Sequence, residues 1–154
     1  MTCPSMSSRK RAATAVAIRL VTATDFGCSK KAAARRALSQ WLDTLIEDSI
    51  AAYGGEVVKR RGATGLAIFN VPSLAMNWTR FVIERVAAAR KHGWIPRAVN
   101  CRAGIARGVT RVPGSKKAVA GPAVNLALRL CRSAKPGKLV VGRHAVRAGD
   151  MRQV

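Results

Sequence analysis

Apolar residues recur every three or four positions in three stretches of this chain, while five shorter runs are β-branched or continuously apolar. The two periods alternate, and the order they give is strand, helix, two strands, helix, strand, helix, strand. That order predicts an α+β fold of the ferredoxin-like type, a sandwich in which helices pack on one face of a mostly antiparallel sheet. With 154 residues and neither internal repeat nor linker, a single domain able to bury a core is expected.

The first strand is expected over residues 12–21, where Ala15-Val16-Ala17-Ile18 and Leu20-Val21 flank one anomaly, Arg19. After the Asp25-Phe26-Gly27 break, Ser29 is the expected N-cap of a helix with the stripe Ala34, Ala37, Leu38, Trp41, Leu42, Leu45, Ile46 and Ile50, ended by Gly54-Gly55. Glu56-Val57-Val58-Lys59 and Leu66-Ala67-Ile68-Phe69 read as a hairpin with a cationic tip at Arg60-Arg61. Pro72-Ser73 opens a second helix, with Leu74, Trp78, Phe81, Val82, Arg85, Val86 and Ala89 in register, and His92-Gly93 closes it. A strand over residues 97–106 follows, then a basic loop with Gly108, Pro113, Gly114 and Lys116-Lys117. Pro122 starts a third helix over residues 123–133, its apolar face Val124, Leu126, Ala127, Leu130 and Cys131, and Leu139-Val140-Val141 is a last short strand.

Hydrophobic residues make up 49% of the chain against 23% charged, so it can offset its ordering entropy, which a disordered basic tail cannot. Twenty-eight Lys and Arg against seven Asp and Glu give a formal charge of +21, which favours polyanionic partners: nucleotides, nucleic acid or an anionic membrane surface. The four cysteines, Cys3, Cys28, Cys101 and Cys131, form no CxxC pair, so free thiols in a reducing cytoplasm are expected rather than zinc or a disulfide framework. Residues 8–23 begin like a signal peptide, with Arg9-Lys10-Arg11 before an apolar run, but Arg19 cuts the run and no cleavage pattern follows. The longest uncharged stretch, residues 62–79, is broken by glycine, proline and asparagine, which argues against a membrane span. His92 and His144 are too few for a metal centre or a triad, and no Walker loop or GxGxxG occurs.

Two segments bring a family into view. Gly54-Gly55-Glu56-Val57-Val58-Lys59-Arg60-Arg61-Gly62 and, more specifically, Gly121-Pro122-Ala123-Val124-Asn125-Leu126-Ala127-Leu128-Arg129-Leu130 resemble the catalytic domain of class III adenylate and guanylate cyclases. Ala134-Lys135-Pro136-Gly137-Lys138-Leu139-Val140-Val141 follows at the expected distance, and Ala103-Gly104-Ile105-Ala106-Arg107-Gly108 is similar to the family's glycine-isoleucine strand end. The resemblance covers residues 12–146, setting off a basic tail at 1–11 and a second tail at 147–154, with the family's closing strands expected to be missing.

In that family two domains pair head to tail, and each site lies across the interface. One wall holds divalent metals on two aspartates; the other reads the purine and supplies an asparagine and an arginine. The resemblance implies that Lys59 reads the base, that Asn125 orients the ribose and that Arg129 meets phosphate charge, with Asn125 and Arg129 on one helix face by their i, i+4 spacing. The second purine-reading position falls on Ala118. The metal aspartates fall on Arg19 and Ala63, neither of which can ligate magnesium: one is a fixed cation and the other offers no oxygen.

The expectation is therefore a cyclase-like domain, catalytically degenerate alone, that binds ATP or GTP or regulates cyclic-nucleotide signalling. It would act as a homodimer, or as a heterodimer with an intact cyclase domain that brings Mg or Mn. An active cyclase with atypical ligands, drawing on Asp25 and Glu56, is one alternative; a basic nucleic-acid-binding protein on the same fold is the other. Each residue also has a plain role open to it. Lys59 and Arg129 would serve as solvated surface charges, Asn125 as the partner of a local polar contact, and Arg19 as a snorkelling strand-end arginine or a cation that meets phosphate in place of a metal.

Overall fold

The structure, a computed structural model, describes residues 8–22, 31–61, 64–96, 99–113 and 121–142. Elements follow the expected order: β1 (Ser8–Thr22), α1 (Lys31–Ile50), a 3-10 turn (Ala51–Tyr53), β2 (Gly55–Arg61), β3 (Thr64–Phe69), α2 (Pro72–Lys91), β4 (Val99–Pro113), α3 (Pro122–Ser133) and β5 (Leu139–Val141). The sheet runs β2-β3-β1-β4-β5. Its first four strands pair antiparallel, and β5 joins β4 in parallel after the α3 crossover.

Central position explains the composition of β1. Flanked by β3 and β4 and covered on both faces, it buries every residue from Ala13 to Ile18 to within 1% exposure, so it reads as a continuous apolar run rather than an alternation. Its two faces differ in residue size. Val16 and Ile18 join Leu42, Ile46, Phe69, Trp78, Val82 and Val86 in a large core under α1 and α2. Ala13, Ala15 and Ala17 lie on the opposite face with Ala106, Ala123, Val124, Ala127 and Cys131, where α3 packs. The helices thus cover both faces of the sheet, not one. Helical periodicity identifies which side of a helix is buried but not which side of a sheet buries it, and the small side chains of β1 make room for α3.

Two boundaries move outward. β1 begins at Ser8 rather than residue 12, and β4 continues through Gly108 to Pro113, where a basic loop was expected, because the two strands pair from Ser8↔Pro113 to Thr22↔Val99. Gly54 ends the α1 segment with φ +75°, in the left-handed region, as its glycine implied. Of the expected helix stripes, Ala37 is exposed, and Arg85 is exposed with its guanidinium 6.0 Å from the Phe81 ring centroid. Trp78 is buried in the core as expected, its indole N–H donating to Ser49 Oγ at 2.8 Å. Ser29, Ala63, Lys116-Lys117, Ala118, His144, Cys3 and Cys28 lie outside the described residues. Among the described residues, no helix is long and apolar enough to cross a membrane.

Candidate functional site

α3 begins after Gly121, whose φ of +137° is a backbone state that L side chains rarely adopt, and Pro122 at the first turn presets the helical φ. Ala123, Ala127 and Cys131, one turn apart, face the sheet, which leaves Pro122, Asn125, Arg129 and Arg132 exposed along the outer side of α3. Asn125 and Arg129 are therefore brought together on one open helix face, as the spacing predicted. Lys59 lies on the edge strand β2, in the irregular stretch between Val58 and Arg61. It is on a different element from α3, which packs on β1, β4 and β5.

Arg19 pairs with Thr64 of β3 on one side and with Arg102 of β4 on the other. Thr64 is the first residue of β3, so β1 and β3 are still paired at the position of Arg19. Arg19 continues the alternation of Ala13, Ala15 and Ala17 and so lies on the α3 face of the sheet, exposed. Arg102 shares that face, because residues directly opposite in an antiparallel ladder point the same way.

Nothing in the sequence singled out Arg102; its partner across the ladder is visible only once the register is known. Its Nη1 donates to the carbonyl oxygens of Arg132 at 3.3 Å and Ala134 at 3.5 Å, at the C-terminal end of α3, where unpaired carbonyls and the helix dipole favour a cation. Its Nε is buried and has no hydrogen-bond partner among the described residues. Cys131 Sγ donates to the Arg102 carbonyl oxygen at 3.5 Å. Burial raises the Cys131 thiol above its ordinary pKa, while Arg102, Arg19 and Arg132 pull it the other way. The Cys101 thiol is pushed up to about 12, first by burial and then by Cys131.

The chemistry of this donor set does not fit a divalent cation. The resemblance assigns a guanidinium to one metal position and an alanine to the other, and among the described residues no three His, Cys, Asp or Glu side chains gather to hold an ion. Of the described carboxylates, Asp43, Glu47 and Asp48 belong to α1, Glu84 to α2 and Glu56 to β2. What the arrangement does offer is cationic donors suited to phosphate oxygens.

Neither a family sequence model nor a curated protein sequence matches the chain. Solved structures do. The guanylyl cyclase Cya2 superposes with a TM-score of 0.78 at 17% identity, over 94% of this chain and 81% of that one. An adenylate/guanylate cyclase/hydrolase from Silicibacter pomeroyi matches with a TM-score of 0.70 at 23% identity, over 91% and 80%. The catalytic core of a rhodopsin-guanylyl cyclase with converted specificity, in complex with ATPαS, matches with a TM-score of 0.71 at 16% identity, over 92% and 83%. A five-stranded sheet carrying two helices on one face and the Asn125–Arg129 helix on the other thus gives this chain the fold of adenylyl and guanylyl cyclase catalytic domains.

Proposed function

We propose that the chain is a nucleotide cyclase-like domain with the base- and ribose-reading wall of a composite nucleotide site but no metal-holding wall, and that it acts as a nucleotide-binding, regulatory partner of a metal-competent cyclase domain. The observation that carries this reading is Arg19 on the central strand, exposed, paired with Thr64 and Arg102 at the position where the resemblance calls for a metal aspartate. Two copies of this chain would build two sites that each lack metal ligands. One copy paired with an intact domain would give one site combining the partner's aspartates with Lys59, Asn125 and Arg129. There Lys59 would bind the purine edge, Asn125 would hold the ribose in line, and Arg129 would offset charge developing on the phosphate.

The test is a cyclisation assay with ATP or GTP and magnesium or manganese. The chain alone should give no cyclic nucleotide. Mixed with a cyclase domain that keeps its aspartates but has lost its own asparagine and arginine, it should restore product, and Arg129→Ala should abolish the restoration. Product from this chain alone would favour the active-enzyme reading, with Asp25 and Glu56 as the acids to substitute next.

One observation favours the nucleic-acid alternative. Trp94 is 69% exposed and stacks on His92 with ring centroids 4.9 Å apart, next to Lys91 at the end of α2. An aromatic beside cations is the pairing that single-stranded nucleic acid uses. Loss of RNA binding in Trp94→Ala, with affinity falling steeply as salt rises, would support it.

A further inference from the structure

We infer that Arg19 and Arg102 form a seat for a metal-free polyphosphate chain, so that this domain binds an uncomplexed nucleotide di- or triphosphate and is opposed, not assisted, by magnesium. Like charges directly opposite on one face of an antiparallel pair repel each other, and side chains at such positions stand only about 5 Å apart at Cβ. Arg19 and Arg102 are such a pair. Arg132 brings a third cation to the neighbourhood, since its carbonyl oxygen accepts from Arg102 Nη1 at 3.3 Å.

Among the described residues, no carboxylate pairs with Arg19, Arg102 or Arg132, and the acids of α1 and α2 belong to helices packed on the other side of the sheet. Arg102 is partly satisfied by the carbonyl oxygens at the end of α3, yet its buried Nε still lacks an acceptor. Arg19 is exposed. Two like charges set directly opposite each other are a local conflict that no described carboxylate relieves, and an anion with several oxygens relieves it. The ligand is therefore an oxyanion chain rather than a lone halide or a carboxylate. Because guanidinium is a fixed cation, a phosphate chain already wrapped around magnesium presents it with less charge and fewer free oxygens.

This seat rests on the proposed function only for the nucleotide attached to the polyphosphate, and its test does not require cyclisation. Inorganic tripolyphosphate, ATP and AMP are titrated calorimetrically against the full chain in EDTA, and then with magnesium in excess over ligand. Tripolyphosphate and ATP should bind, AMP should not, and magnesium should weaken both by about tenfold or more. Arg19→Ala should weaken both by about tenfold, the effect of losing one charge-assisted contact. Arg80→Ala, which removes the same charge from the exposed surface of α2, should leave affinity within about twofold. Circular dichroism confirms that each variant is folded. Equal losses in the two variants would show diffuse attraction to the whole +21 chain and overturn the proposal. So would tighter binding with magnesium. If tripolyphosphate and ATP bind equally well, the seat stands as one that holds the phosphate chain and leaves the base unread.

Discussion

A methyl group on Gly104 would overlap the carbonyl oxygen of Ala127, the amide nitrogen of Cys131 and, at 2.8 Å, Cβ of Leu130. β4 and α3 meet backbone to backbone there, and the helix bearing Asn125 and Arg129 is set by that approach. Because two of the three obstacles are main chain, they cannot rotate away. Gly104→Ala should lift α3 off the sheet and cost about 3 kcal/mol, at the upper end of ordinary overpacking. Gly108 is a matched control: its added Cβ would lie 3.5 Å from Ala123 Cβ, an ordinary contact, so Gly108→Ala should shift stability by less than about 0.5 kcal/mol. Chemical denaturation of the two variants checks the contrast, and similar midpoints would deny the close approach.

The outer side of α3 should behave oppositely. Asn125 and Arg129 are exposed, and among the described residues neither has a side-chain hydrogen bond or ion pair. Asparagine is a weaker helix former than alanine, so Asn125→Ala should stabilise the domain by about 0.5 kcal/mol. Arg129→Ala should be neutral within about 0.3 kcal/mol. Thermal melts without ligand decide it. A clear destabilisation by Asn125→Ala would return that residue to a purely structural role.

Legibility in the sequence followed the range of the interaction. Element order was readable because it depends on local period, and the glycine and proline signals at Gly54, Pro72 and Pro122 mark chain reversals or helix starts that those residues favour for local reasons. The far ends of β1 and β4 were hidden. Arg9, Lys10 and Arg11 look like a solvated tail, and Gly108 and Pro113 look like loop punctuation, until each strand provides the other's hydrogen bonds. Arg102 was hidden for the same reason: it matters only because the register sets it against Arg19. Asn125 and Arg129 were legible as a pair because i, i+4 spacing is local, whereas Lys59 and α3 lie on separate elements whose relation no local pattern encodes.

Ser49 holds the largest side chain of the core in register. Its Oγ accepts the Trp78 indole N–H at 2.8 Å and donates to the Leu45 carbonyl at 2.7 Å, joining α1 to α2 through one hydroxyl. Ser49→Ala leaves the buried indole donor without an acceptor, which should cost about 2 kcal/mol. Trp78→Phe removes donor and volume together and should cost about as much or more. In the double variant the orphaned donor is gone, so the combined loss should fall short of the sum by about 1 kcal/mol. Additive losses in a denaturation cycle would mean that the bond contributes nothing.

The buried thiol of Cys101 makes stability depend on alkaline pH. Its pKa rises from 9.0 to about 12 in the folded chain, because burial penalises the thiolate and Cys131 adds to the penalty. Between those values the unfolded chain has released the proton that the folded chain still holds, so raising the pH favours unfolding. The contribution is fully present below about pH 9 and declines by about 1.4 kcal/mol for each pH unit until about 12. Lysines also titrate in this window, so the measured quantity should be the difference between the chain and Cys101→Ala, in which the lysine contributions cancel. That difference should shrink as pH rises from 8 to 11. Thiol reagents should leave Cys101 unmodified in the native state at pH 8, since little of it is thiolate there. A stability difference that stays constant across this range would show that the Cys101 thiolate is not disfavoured by folding.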